Sequence, residues 1–172
     1  MMTFYLARHG QTEENLARIF QGHLPGRLTA EGQAQARALG TALQDIELDA
    51  VVSSDLQRCV DTVRLALGHR ELPWEQTTML REIDCGSWTG LPIASVDLNH
   101  FPDDVETKAM LYERAGQTLA DLRERYAGKR VLVVAHGLFN RSFQAHIQGV
   151  TLDHLRSVPR MENAELRVFR VE

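Results

Sequence analysis

Two histidines stand where a chain of this pattern could place a reactive group. Phe4-Tyr5-Leu6-Ala7 runs into Arg8-His9-Gly10, and Val131-Leu132-Val133-Val134-Ala135 runs into His136-Gly137. Each apolar run reads as a strand, and each ends in a histidine followed by a glycine. In open α/β sheets, ligands bind outside the carboxyl ends of the strands. A glycine there lets the backbone turn sharply and come close to a ligand. One such His-Gly is better explained by an imidazole hydrogen-bonded in a turn. Two of them, on strands that could lie parallel, fit a shared site about as well as they fit two such turns.

Arg58 adds a cation in the first turn of the helix expected after Val51-Val52-Ser53-Ser54. A cation there opposes the helix dipole, unless an anion sits between the guanidinium and the free N–H groups of the helix start. A salt bridge to Asp55 or to Asp61 accounts for Arg58 just as well. Arg8, beside His9, suits a phosphate because its fork can hold two oxygens at once; a surface ion pair is the alternative. Glu82 follows a strand candidate and has apolar neighbours, and burial would keep it protonated as a general acid. Asp84 is a rival for that role, and a solvated acidic loop would explain both.

Other chemistries fit less well. None of the seven histidines has another at the i, i+4 spacing of a helical zinc site. There is no Gly-Lys-Ser/Thr phosphate loop and no Gly-x-Ser-x-Gly elbow. Cys59 and Cys85 lack metal-site spacing and are too few for a disulfide framework, so they are expected as thiols in a reducing compartment. The chain has a net charge of −4, which gives no bulk attraction to nucleic acid or to an acidic membrane. The N-terminus has neither a basic leader nor an apolar h-region, and no stretch reaches spanning length. The expectation is a cytoplasmic protein without a nucleic-acid or membrane partner, and without a metal or other cofactor.

The elements that must position these residues alternate between apolar runs and helical patterns. With 172 residues they read as one domain (1–172), a three-layer α/β/α sandwich around a mainly parallel sheet. Strands are expected over Thr3–Ala7, Leu48–Ser53, Trp74–Met79 (weaker), Val131–Ala135 (central, buried on both faces) and Glu165–Val171 (an edge). Helices are expected from a Thr29 cap to about Asp45, from a Ser54 or Asp55 cap to Leu67, and from Leu138 to about Gln148. An amphipathic stretch covers Asp104 to Tyr126, with Val105, Ala109, Tyr112, Ala115, Leu119, Leu122 and Tyr126 recurring every three or four residues. Gly116 weakens it and could split it in two. Gly86 to Asp103 reads as irregular.

The blocks resemble one known family. Arg8-His9-Gly10-Gln11-Thr12-Glu13-Glu14-Asn15 is similar to the signature of the histidine phosphatase superfamily, the phosphoglycerate-mutase-like proteins. Gln21-Gly22 and Leu28 to Ala36 follow, then Ser53 to Thr62, Leu80-Arg81-Glu82 with Gly86 to Gly90, and Ala135-His136-Gly137. They run in family order from about Thr3 to Arg141. The resemblance implies that His9 is the nucleophile and that Arg8, Arg58 and His136 hold phosphoryl oxygens. It also implies that Glu82, rather than Asp84, donates the proton. Asn15, Gln21 and Gly22 fall at substrate-pocket positions, and Gly137 offers a backbone N–H. It implies hydrolysis of a small phosphorylated metabolite through a phosphohistidine, with the N-terminal half closest to phosphatases acting on α-ribazole phosphate. A phosphoglycerate mutase is the first alternative, and a non-catalytic phospho-ligand binding module is the second. His23-Leu24-Pro25-Gly26 departs from the acidic residue frequent in the family after Gln-Gly. The stretch between Glu82 and His136 is short for the family, which favours water entry and net hydrolysis over retention of the intermediate.

Overall fold

The computed structural model describes residues 1–172. In chain order the elements are β1 (Met2–Arg8), α1 (Glu13–Ala17), α2 (Ala30–Leu43), β2 (Ala50–Ser54), α3 (Gln57–Leu67) and β3 (Trp74–Thr77). Then follow α4 (Lys108–Arg125), β4 (Arg130–Ala135), α5 (Gly137–Gln148) and β5 (Leu166–Val171). The strands form one sheet in the order β3-β2-β4-β1-β5. The first four are parallel, and β5 closes one edge antiparallel to β1.

The central strand β4 explains the layers. Its residues alternate between faces, and both faces are fully buried. Val131, Val133 and Ala135 pack with Leu111, Leu119, Phe139 and Phe143 of α4 and α5. Leu132 and Val134 pack with Leu39, Leu43, Val63 and Leu67 of α2 and α3. Each such side chain contributes roughly 1.5–3 kcal/mol on burial. The result is the expected sandwich, with a mostly parallel sheet between two pairs of helices.

Several elements differ in detail from the sequence reading. Thr29 caps α2 as expected, its hydroxyl accepting from the Gly32 N–H at 2.9 Å. The start of α3 differs: its N-cap is Leu56, without a side-chain bond. Ser54 Oγ accepts from the Leu56 N–H instead, and Asp55 is drawn away into a two-pronged pair with Arg81 at 2.8 and 2.6 Å. Helix α4 begins at Lys108, capped by the Thr107 hydroxyl, not at Asp104. It runs unbroken through Gly116, where a Cβ would come within 2.7 Å of the His146 ring. The glycine makes room for a packed imidazole and does not end the helix. Within α4 the buried residues are Leu111, Ala115, Thr118, Leu119 and Leu122; Ala109 is exposed. The third strand stops at Thr77, and a 3-10 turn over Thr78–Leu80 follows. Between Gly86 and Asp103 there are only two single 3-10 turns, and buried Trp88 anchors the segment against Phe20 and Phe101.

The loop after β1 is pinned against α2. A Cβ on Gly32 would lie 2.0 Å from the Gln11 carbonyl oxygen, so the helix start presses directly on the turn that carries His9. The Thr29 N–H also donates to that carbonyl at 3.0 Å.

Candidate active site

Strand register brings the reactive residues to one rim. Ala7 pairs with Val134 and Arg8 with Ala135, while Ser53 pairs with Val134 from the other side. The next residues, His9, Ser54 and His136, therefore emerge together. The two imidazole centroids are 5.3 Å apart, with the planes inclined at 61°.

His9 is 2% exposed. Its Nδ1 lies 2.7 Å from the Gly10 carbonyl oxygen. A carbonyl can only accept, so Nδ1 carries the proton and Nε2 is left as a free lone pair without a protein partner. The turn is held from α3: the Gly10 N–H donates to Thr62 Oγ1 at 3.0 Å, and that hydroxyl donates to the Arg58 carbonyl at 2.7 Å. Asn163 donates to the His9 carbonyl at 3.2 Å.

Arg58 is 1% exposed and has no carboxylate partner. Asp55 belongs to Arg81, and Asp61 accepts from Gln57. The salt-bridge explanation of Arg58 is thereby excluded. Its Nε donates to His136 Nδ1 at 3.2 Å, and its two terminal nitrogens donate to the Leu24 carbonyl and, at 2.8 Å, to the Gly22 carbonyl. The loop from Gln21 to Gly26 thus folds around the guanidinium. Gly26, at φ +75°, passes so close that a Cβ would meet Arg58 Cδ at 2.7 Å.

Arg8 reaches the same hollow from β1. It donates to the Met161 carbonyl at 2.9 Å, while its Nε is buried without a partner. Gly137 lets the guanidinium lie flat over the start of α5, since a Cβ there would be 3.3 Å from Arg8 Cζ. The N–H of Gly137 is the first of that helix and has no preceding turn to bond to. One buried and one half-buried guanidinium, one orphaned N–H and a helix N-terminus are the donor set of an anion site.

The histidines carry no charge of their own here. Burial, then Arg58 and Arg8, hold His9 well below the ordinary imidazole value. Burial, Arg58 and His9 do the same to His136. A positively charged His136 is therefore disfavoured. Its Nδ1 accepts from Arg58, and its Nε2 faces Ser54 Oγ at 2.8 Å. A stability effect follows. The folded-state values lie below the unfolded one, so the unfolded chain binds more protons as pH falls. The stability from neutral burial is full above about pH 6.5 and is lost below it. Equilibrium urea unfolding should therefore show stability falling between pH 6.5 and 5, by up to about 1.4 kcal/mol per pH unit for each histidine. A flat profile there would mean that the imidazoles are charged when folded.

Glu82 arrives by an unexpected route. Its carboxylate caps α5: one oxygen accepts from the Ile83 and Phe139 N–H groups at 2.9 and 3.0 Å, the other from Leu138 at 3.0 Å. Glu82 is half-buried, and backbone donors rather than apolar contacts alone hold its carboxylate. Two of those donors belong to the residues just after His136-Gly137, which sets Glu82 beside the rim that carries the imidazoles. Asp84 turns away, accepting from the Gly86 N–H and facing His23 at 3.9 Å. Asn15 and Gln21 form the opposite side through Thr12: Asn15 Oδ1 accepts from the Thr12 N–H, and the Thr12 hydroxyl donates to Gln21 Oε1. Gly22, at φ +49°, contributes its carbonyl to Arg58.

The structure thus brings His9, Arg8, Arg58, His136, Gly137 and Glu82 to one rim, sets Gly22 on Arg58, and links Asn15 to the His9 carbonyl through Asn163 and Gln21 to Thr12. Sequence reasoning missed Thr62, Ser54, Asn163 and Gly26. Thr62 was within reach of it, lying one helical turn beyond Arg58 on the same face. Asn163 gave no signal.

Fold and rim together define an α/β protein with an oriented imidazole, its pKa held low by burial, beside two guanidinium groups. Comparison with known proteins gives the same class. Residues 4–172 match the family described as the histidine phosphatase superfamily, branch 1, and the chain belongs to that family. It is 32% identical over 153 residues to the phosphatase PhoE of Bacillus subtilis, covering 87% of this chain and 79% of that one. It is 40% identical to the adenosylcobalamin/alpha-ribazole phosphatase of Escherichia coli over 87 residues, which are 51% of this chain and 43% of that protein. Among solved structures, YhfR of Bacillus stearothermophilus superposes with a TM-score of 0.93 at 30% identity, over all of this chain and 92% of that one. The chain is a phosphoric monoester hydrolase of this family. No helix is long and apolar enough to cross a membrane.

Proposed function

We propose that residues 1–172 act as one domain hydrolysing a small phosphomonoester through a phosphohistidine on His9, without a metal. The observation that carries this is the His9 ring. Nδ1 is bound to the Gly10 carbonyl, and Nε2 is free beside two guanidinium groups that lack carboxylates. Nε2 attacks phosphorus as the P–O bond to the leaving group breaks. Arg8, the uncommitted N–H groups of Arg58, His136 and the Gly137 N–H hold the equatorial oxygens, where charge is spread in the transition state. Glu82 gives its proton to the departing oxygen, then takes one from the water that breaks the P–N bond. Asn15, Gln21 and the backbone of Gly22 shape the substrate side.

The relatives named as phosphatases support hydrolysis as the outcome, and the α-ribazole phosphatase likeness of the N-terminal half makes a nucleoside-like phosphate ester a reasonable substrate class. The two free thiols, Cys59 and Cys85, are compatible with the cytoplasm. The test is turnover of p-nitrophenyl phosphate in excess chelator, alongside 3-phosphoglycerate followed for both free phosphate and 2-phosphoglycerate. Phosphate release with little isomerisation is expected. Rapid isomerisation would make it a mutase, and no turnover of either would leave a binding module.

Glu82→Gln should separate leaving groups. An alkyl phosphate needs its departing oxygen protonated and should slow roughly 10²–10⁴-fold; p-nitrophenyl phosphate should lose much less. Equal loss on both would remove Glu82 from the proton-donor role. The amide keeps one acceptor oxygen for the start of α5, so the fold should lose only about 1 kcal/mol.

A further inference from the structure

On the far side of Glu82 lies a second cavity, of about 540 Å³. It opens between the starts of α4 and α5 and the segment Leu152–Arg160. Ile83 and Leu138 form its near wall. These same two residues donate their N–H groups to the Glu82 carboxylate, so the cavity adjoins the proton donor proposed above.

The lining is apolar below and cationic above. Leu111, Leu152 and Leu155 join Ile83 and Leu138, while Lys108, Arg141, Arg156 and Arg160 face a single carboxylate, Asp153. Such an excess of cations is unexpected on a chain of net charge −4. Lys108, Arg156 and Arg160 take part in no ion pair. Arg141 bonds only to the carbonyls of Val158 and Arg156, at 2.8 and 2.7 Å, and so fixes the segment that carries the other two arginines. The mutual repulsion of these neighbouring arginines would be relieved by an anion placed between them; Arg141, whose pKa is lowered first by burial and then by Arg160 and Arg156, feels it directly.

We propose that this cavity is a leaving-group subsite, and that the natural substrate is a phosphomonoester whose alcohol portion has an apolar body ending in a second anionic group. This rests on the hydrolase reading above. With the phosphoryl group over His9 and the departing oxygen at Glu82, the leaving group extends toward Ile83 and Leu138. Its apolar part lies on Leu138 and Ile83, and its anionic end meets Arg156 and Arg160.

A matched pair of esters tests this: 3-carboxyphenyl phosphate and the uncharged 3-carbamoylphenyl phosphate. The wild type should favour the carboxylate by tenfold or more in kcat/KM, mostly through KM. Arg156→Ala/Arg160→Ala should lose that preference while turning over the carbamoyl ester within about twofold of wild type, and Arg156→Lys/Arg160→Lys should retain most of it. An unchanged preference in the alanine pair, or none in the wild type, overturns the subsite. Should the wild type hydrolyse neither ester, the hydrolase reading fails by itself. Calorimetric binding of the two esters to the wild type and the alanine pair then decides the subsite. Tighter carboxylate binding that vanishes in the variant supports it, and equal binding rejects it.

Discussion

His9→Ala is expected to lower kcat roughly 10⁴-fold or more on every ester, alkyl or aryl, because it removes the atom that forms the covalent bond and not a helper of that step. The fold should survive. The imidazole makes one internal hydrogen bond, to a carbonyl in its own turn, and the turn is separately held by Thr62, Asn163 and the Gly32 contact. Circular dichroism and the urea midpoint should therefore stay near wild type, with an acid limb shallower by one histidine. A second measurement isolates the chemistry. Brief mixing of wild type with ³²P-labelled ester, followed by alkaline quench, should leave label on the protein, because a P–N bond survives base and is cleaved by acid. His9→Ala should carry none. Label that resists acid, or that persists in the variant, would move the nucleophile elsewhere.

Arg58→Lys is expected to lower kcat/KM about 10²–10³-fold although the formal charge is kept. The guanidinium makes three directed bonds at once, to His136, Gly22 and Leu24. An ammonium on a flexible stem cannot reproduce that fork. The variant should also loosen the loop from Gln21 to Gly26, which hydrogen exchange would report as faster exchange there with α4 and β4 unchanged. Full activity in Arg58→Lys would mean that charge alone suffices and that the fork is incidental.

Much of this was legible in the sequence, for reasons that can be named. The apolar run Val131–Ala135 is too short and too uniformly apolar for an exposed strand. That placed it at the centre of the sheet, and its neighbour in register had to be a second buried strand. Thr29 at the head of an alanine-rich stretch marked α2 well, since the cap is local. What the sequence concealed was set by tertiary contact. Helix α1 has five residues and buries none of them; it exists through the Thr12–Asn15 capping box, and no hydrophobic periodicity announces it. Ser54 and Asp55 looked like caps for α3, but His136 and Arg81 claimed them. Glu82 was expected among apolar side chains, and two of its three backbone partners are N–H groups from a helix more than fifty positions later. Gly116 looked like a break because its packing partner, His146, lies on another helix.

The embrace of Arg58 by its loop has a consequence for how such a protein can change over generations. The guanidinium is gripped by the main-chain oxygens of Gly22 and Leu24, and the side chains there take no part. Substitutions at Leu24 can therefore alter what the entrance admits while the phosphate cradle keeps its shape, whereas His23 is tied to the Glu82 carbonyl at 3.0 Å. Gly22 and Gly26, both at positive φ and with a Cβ position already crowded by Cys85 or Arg58, are barred from that drift. Selectivity and chemistry are thus written in separable parts of one short loop, and a new substrate can be acquired without first dismantling the catalyst.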